Sequence, residues 1–526
     1  MSVTTLSLLA ALAWAAVLFG VALAGERRLR LPEPAWAAVY ALSLAVYCTS
    51  WTFYGTVAQA AAHGWIVPPT FIGTIALFAL GFPFLRRLAR LAREHNSTSI
   101  ADLIASRSGK SPRLAALVTA VAVAGMVPYI ALQLRAVAQS FALLTAADGG
   151  FAATAAWQDL AFWVAVLMAA FAMLFGTRRA AATEHNRGLV LAMGFESLFK
   201  LLALLTLGAF AVWEVGGGPL ALAMRAAELP APMPGGGFLA LVLLGALAMF
   251  TLPHQFHIGF VELRDDAHLR AARWLFPLYL LLIAAPILPL AWAGQVALGS
   301  VLPPDLYSLA LPLSRGADGL AMLAFLGGLS AATGMVIMAA ITLSIMIGNH
   351  WLAPALLRGA VAAGARQRDL RGVVLGLRRL AIAGILLLAW AYSRAVGESA
   401  ALADIGALSF SALAQLAPAV VGVAYAQRLP AHAVAGGLLA GLLAWAWLLL
   451  VPALVQAGML PAVVLDAAGT LAPERILGLQ GWDAITRAVL LSVAANTLVL
   501  LLLARAPARA PVRARAAAAP ACWRRR

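Results

Sequence analysis

Apolar residues run through this chain in long blocks parted by short polar stretches, and the blocks are long enough to cross a bilayer. They fall at 5–24, 35–58, 68–91, 114–145, 157–176, 188–213, 237–260, 270–297, 318–350, 373–393, 400–427, 433–455 and 482–504. The pattern predicts an all-α integral membrane protein with about 13 transmembrane helices. The first block is followed by ERRLR with no small-residue cleavage site, so it reads as a retained helix. An odd number of spans places the termini on opposite sides.

Polar positions inside the blocks are the rarer signal. The second block carries VYCTSWTFYGT at 46–56, with Tyr47, Thr49, Ser50, Thr52, Tyr54 and Thr56 crowded around Gly55. Hydroxyls can bond across packed membrane helices, or line a polar site at a broken helix. The seventh block ends in FTLPHQFHIGFVE at 250–262, where Pro253 removes a helix bond beside His254, Gln255 and His257. A metal site on His254 and His257 lacks a third ligand, so a helix break beside a cavity is the preferred reading. These interrupted spans lie five apart, the spacing expected when two inverted five-helix repeats each begin with a broken helix. The outer loops carry the breakers 216–218, 230–237 and 302–304, and 455–483 has no clear pattern.

Composition sharpens the class. Of 526 residues, 63% are hydrophobic and 11% charged, and mean hydropathy is +0.91, which excludes an ordinary soluble domain. The net charge of +16 implies no nucleic-acid partner, because most arginines flank spans. Arg86, Arg87, Arg90, Arg93, Arg107, Lys110 and Arg113 all lie at the end of the third block or in the loop after it, and the tail holds further arginines. This bias places the N-terminus outside and the C-terminus in the cytoplasm. Cys48 in a span and Cys522 in the tail do not suggest a structural disulfide. Within 96–111, NSTSIADLIASRSGKS, the spacing of Ser99 and Asp102 predicts a capped surface helix.

Intramembrane charges are candidate chemistry. Glu196 and Lys200 share one helix face, as a packed ion pair or a proton relay. Arg135, near Gln133 and Gln139, is placed to hold a carboxylate or an anionic solute group. In FLGGLSAATGMVIMAAITLS, at 325–344, Gly327, Gly328, Ser330, Ala331, Ala332, Thr333 and Gly334 form a small-residue face that suits close packing or an oxygen cage for a cation.

The motifs YCTSWTFYGT, TSIADLIASRSGKS, VPYIALQLRAVAQSF, FESLFK, LPHQFHIGFVE and FLGGLSAATGMVI resemble the membrane domain of CbrA-type sensor histidine kinases. More distantly they are similar to sodium/proline and sodium/glucose symporters of the sodium/solute symporter family. The resemblance spans nearly the whole chain up to about 505. It implies a leucine-transporter-like core with an inverted 5+5 repeat: an extra helix and loop at 1–34, repeats at 35–236 and 237–428, and two peripheral helices at 429–504; beyond it the tail at 505–526, rich in arginine and without an acid, is expected to be disordered and drawn to anionic lipid.

Carried over by position, the resemblance implies sodium held by carbonyls of Ala45, Cys48 and Gly327 and by the Ser330 hydroxyl. The next position, usually a second hydroxyl, is Ala331 here, and the position that is Asp in proline symporters is Tyr47. Both changes remove oxygen from a hard-cation site, which brings proton coupling through Glu196 and Lys200 forward as the alternative to Na+. The implied solute cavity falls to Tyr47, Thr49, Ser50, Trp51, Tyr54, Phe250 and Gln255. The expectation is a cation-coupled, alternating-access transporter of a small organic solute, an amino acid by analogy, in a bacterial-type inner membrane. The alternative is a membrane sensory module reporting to a separate signalling kinase. Kinase domains are missing after 505, so the chain is expected to be no enzyme.

Overall fold

A computed structural model describes residues 2–27, 31–145, 156–176, 186–299, 301–356, 371–395, 402–426 and 428–505. The expected disordered tail lies, beyond Arg505, outside these residues. Helices and short turns account for the architecture, with no strand among the described residues. In hydrocarbon a helix satisfies its own backbone, so an apolar block folds this way by default.

The chain begins with α1 (Val3–Arg27). The second block is interrupted. Helix α2 (Glu33–Ser43) tightens into a 3-10 turn, Leu44–Tyr47, and stops at Cys48 in extended conformation (φ −82°, ψ 95°). It resumes as a π-turn, Trp51–Gly55, and continues into α3 (Thr56–His63). The third block, expected as one span, is bent by 78° between α4 (Pro69–Leu80) and α5 (Phe82–Glu94). Pro83 in the first turn of α5 has no N–H to extend the ladder. Gly81 at the corner has no room for a side chain, since a Cβ there would lie 2.8 Å from the Leu77 carbonyl oxygen. Next come the capped α6 (Ile100–Arg107), α7 (Pro112–Thr145), α8 (Leu160–Gly176), α9 (Arg187–Phe210) and α10 (Pro219–Ala226). In α6, Ser99 Oγ accepts from the Asp102 N–H at 3.2 Å, and Ile100, Leu103 and Ile104 are buried.

The seventh block is bent by 54° between α11 (Phe238–Thr251) and the segment Pro253–Val261. Leu252 is extended (ψ 121°), as a residue before proline prefers, and α12 (Pro253–Phe256) ends in a π-turn, His257–Val261. Helices α13 (Asp266–Ala284), α14 (Ile287–Leu298), α15 (Tyr307–Ser314) and α16 (Asp318–Ile347) follow. Beyond them lie the spans Gly372–Ala395, Leu402–Tyr425, Ala431–Gln456 and Ala484–Arg505. Among the described residues nine helices are long and apolar enough to cross a membrane, or eleven with each bent pair as one span. A count of thirteen further requires the interrupted second block and the short helix Leu160–Leu174.

Helix α16 is the centre, buried along nearly its whole length against α7, α8, α9 and α15. Elsewhere backbones touch. A Cβ on Gly73 of α4 would lie 1.8 Å from the Val242 carbonyl oxygen of α11, and one on Gly245 1.9 Å from that of Thr70. Thr74 Oγ1 adds a hydrogen bond to the Gly245 carbonyl at 2.8 Å. Small residues permit this approach where lipid gives no hydrophobic drive between helices.

Candidate solute and cation site

The break at Cys48 leaves backbone groups without helical partners, and α7 supplies one. Gln133 Oε1 accepts from the Ser50 N–H at 3.0 Å and from Ser50 Oγ at 2.5 Å. Its amide nitrogen donates to Thr49 Oγ1 (3.4 Å) and to the Tyr129 carbonyl (3.3 Å). Thr49 Oγ1 in turn bonds the Tyr129 hydroxyl at 3.1 Å and accepts from the Trp51 N–H at 3.2 Å. The broken backbone is thus held in one shape by a single buried amide.

Aromatic rings surround this knot. Trp51 meets Phe410 edge-on at 4.9 Å between centroids, and Tyr129 meets Phe410 edge-on at 5.2 Å. Tyr47 lies 6.2 Å from Phe410, and its hydroxyl donates to the Thr70 carbonyl at 3.4 Å. From the second break, His254 stacks on Tyr129 at 6.3 Å. The two breaks are also tied directly, since the Tyr40 hydroxyl donates to the Gly259 carbonyl at 2.8 Å. Trp51 Nε1, both ring nitrogens of His254 and both polar atoms of Gln255 are buried without a hydrogen-bond partner in the protein. Unpaired groups of this kind are costly where water is excluded.

The structure therefore brings Tyr47, Thr49, Ser50 and Trp51 around one point, together with Tyr129, Gln133, His254 and Phe410. Gln133 and Tyr129 stand in a conspicuous polar motif of the fourth block, whereas Phe410 carries no sequence signal. Phe250 packs edge-on against Phe84 of α5 at 5.0 Å. Tyr54 faces α16 instead, where a Cβ on Gly328 would lie 1.9 Å from its hydroxyl oxygen. His257 approaches the Thr98 carbonyl (3.4 Å) and Glu262 (3.5 Å). No group of three or more His, Cys, Asp or Glu suited to a metal ion occurs among the described residues.

At the positions implied for a cation, the Ala45 carbonyl accepts the Cys48 N–H at 2.9 Å. Ser330 Oγ is buried without a partner in the protein, and Ala331 offers no oxygen. A Cβ on Gly327 would meet the Phe53 ring at 2.7 Å. On α9, which packs against α16, Lys200 Nζ lies 3.4 Å from Glu196 Oε1, with both side chains 1% exposed. Arg135 is buried on α7 within electrostatic reach of Asp305.

No family model matches the chain, and neither does any curated protein. Solved structures do. A Na+-coupled sialic acid symporter in a substrate-bound outward-open state is similar over 94% of this chain and 98% of its own, with a TM-score of 0.63 at 13% identity. A manganese transporter of Eremococcus coleocola gives a TM-score of 0.46 at 16% identity, over 91% of this chain and 89% of its own. A nucleobase-cation-symport-1 family transporter, in a closed conformation with bromovinylhydantoin bound, gives 0.42 at 13%, over 88% and 92%. The fold is the leucine-transporter type. The chain is a multi-pass membrane protein with that architecture.

Proposed function

We propose that the chain is a secondary active transporter that couples the movement of a small organic solute, an amino acid by chemical class, to a cation running down its own gradient by alternating access. The observation that carries this reading is the cluster of buried polar groups without protein partners at the two breaks: Trp51 Nε1, His254 and Gln255. A membrane fold gains nothing from leaving such groups unpaired, and a bound solute with donors and acceptors satisfies them. Tyr47, Trp51, Tyr129 and Phe410 supply apolar walls, and Thr49, Ser50 and Gln133 fix the backbone between them. The two repeats are assigned to 35–236 and 237–428. The protein sits in a bacterial-type inner membrane with its N-terminus outside, because the arginine-rich segment containing α5 and α6 belongs on the cytoplasmic face.

The test is uptake of labelled amino acids into proteoliposomes under an imposed sodium or proton gradient. Accumulation that collapses with the gradient is expected. No accumulation of any amino acid overturns the reading, and solute binding without flux would instead mark a sensory module.

A further inference from the structure

Two contacts fix the register of α9 against α16. A Cβ on Gly334 would strike Glu196, 1.8 Å from Oε2, and a Cβ on Gly327 would lie 3.0 Å from the Cβ of Ala203. The step from Glu196 to Ala203 along α9 equals the step back from Gly334 to Gly327 along α16, so the helices run antiparallel here. Lys200, four residues beyond Glu196, is therefore level with Ser330 and Ala331. On a third side stands Cys48, the break residue, within electrostatic reach of Lys200. The Tyr279 hydroxyl of α13 closes the remaining side, donating to the Ser197 carbonyl at 2.8 Å.

Lys200 thus lies level with two of the residues to which the family resemblance assigns sodium, Ser330 and Ala331, and its ammonium is within electrostatic reach of a third, Cys48. Those residues are poor in side-chain oxygen, offering chiefly backbone carbonyls. The Ala45 carbonyl already accepts a hydrogen bond, Ala331 has no hydroxyl, and Ser330 Oγ is the one buried side-chain oxygen of the set. A second positive charge there would face the ammonium directly.

We infer that Lys200 takes the place of the coupling cation at this junction. The chain supplies, on a side chain, the positive charge that joins the break at Cys48 to α16, with Glu196 as its counter-charge, and free sodium does not bind there. The inference rests on the transporter reading only for what the junction is used for. Whether sodium binds is independent of whether any solute moves.

The deciding measurement is thermal unfolding of the detergent-purified full chain, comparing sodium chloride with potassium and choline chloride at equal ionic strength. Wild type is expected to unfold at the same temperature in all three. Lys200→Ala, which opens space beside the remaining Glu196 carboxylate and Ser330 hydroxyl, is expected to gain an upward shift specific to sodium. Lys200→Arg, which keeps the charge, should stay blind to sodium. A sodium-specific shift in wild type overturns the inference whatever the variants do, and so does a folded Lys200→Ala protein without one. If Lys200→Ala does not fold, the wild-type and Lys200→Arg comparisons still decide. Absence of solute uptake would withdraw the transporter reading and leave this comparison standing.

Discussion

The carboxylate of Glu196 rests against the bare α-carbon of Gly334: a methyl there would fall 1.8 Å from one oxygen and 2.5 Å from the other. Gly334→Ala must therefore push a buried ion pair off its position. It is expected to lower stability by about 1–3 kcal/mol, the usual cost of overpacking. Gly384→Ala, whose Cβ would meet nothing within 4 Å, is the matched control and should be neutral. Chemical unfolding in detergent reads both.

The same pair has a second signature. Removing one partner leaves the other charge buried alone, which typically costs about 3–5 kcal/mol, whereas replacing both is far milder. Glu196→Gln should thus be more destabilising than the double variant Glu196→Gln, Lys200→Met. A double-mutant cycle on unfolding free energy checks this, and simple additivity would show that the two side chains do not act as a pair.

Gln133 accepts two hydrogen bonds from Ser50 and holds the second block in its broken shape. Gln133→Leu keeps the volume but strands both donors, for an expected loss of about 1–3 kcal/mol. Solute affinity should fall with it, because Thr49 and Trp51 are positioned through the same amide. Melting temperature and a solute-binding isotherm would be measured together.

Gln255 and His254 should behave in the opposite way. Their polar atoms find no partner in the protein, so Gln255→Leu and His254→Phe are expected to leave the solute-free protein as stable as wild type or more so. Solute-induced stabilisation should be lost in both. A clear drop in solute-free stability would show that these groups serve the fold rather than a ligand.

Asp305, on the turn Pro304–Leu306, titrates abnormally. Burial pushes its carboxyl up to about 6, against the pull of Arg135 and with a smaller push from Asp404. Its pKa in the folded protein therefore lies above the unfolded value of about 3.9. The stability it contributes is fully present below about pH 4 and is lost as pH rises through about 6. The melting temperature of wild type should carry this downward component between those values, and Asp305→Asn should remove it.

Much of this was legible in the chain itself. Pro253 and the hydroxyl-rich 46–56 stretch announce the two breaks, because proline removes a donor and lipid gives hydroxyls no solvent. The Glu196–Lys200 spacing announces an ion pair on one helix face. What stayed hidden are contacts between segments distant in sequence. Phe410 is an ordinary apolar residue until the fold sets its ring against Trp51 and Tyr129. Gln133 reads as one polar residue among several until the break presents it with two donors. The bend at Gly81 was written in the Gly-Phe-Pro sequence but masked by unbroken apolarity on its N-terminal side. Phe250, grouped with the solute residues by resemblance, lies against Phe84 because α11 turns that ring toward α5.

The contact of α4 with α11 bears on which parts of the protein can move. With Gly73 and Gly245 pressed onto opposing carbonyl oxygens, sliding one helix past the other by a residue would drive a side chain into a backbone. The two helices therefore translate and tilt as one beam. Both helices are jointed at the same end of that beam, α4 at Gly81 toward the arginine-bearing α5 and α11 at Leu252 toward His254 and Gln255, where Phe84 meets Phe250. Displacement at the second break is consequently geared to the surface arginines twice over, through the shared backbone contact of α4 with α11 and through the Phe250 ring against Phe84 of α5.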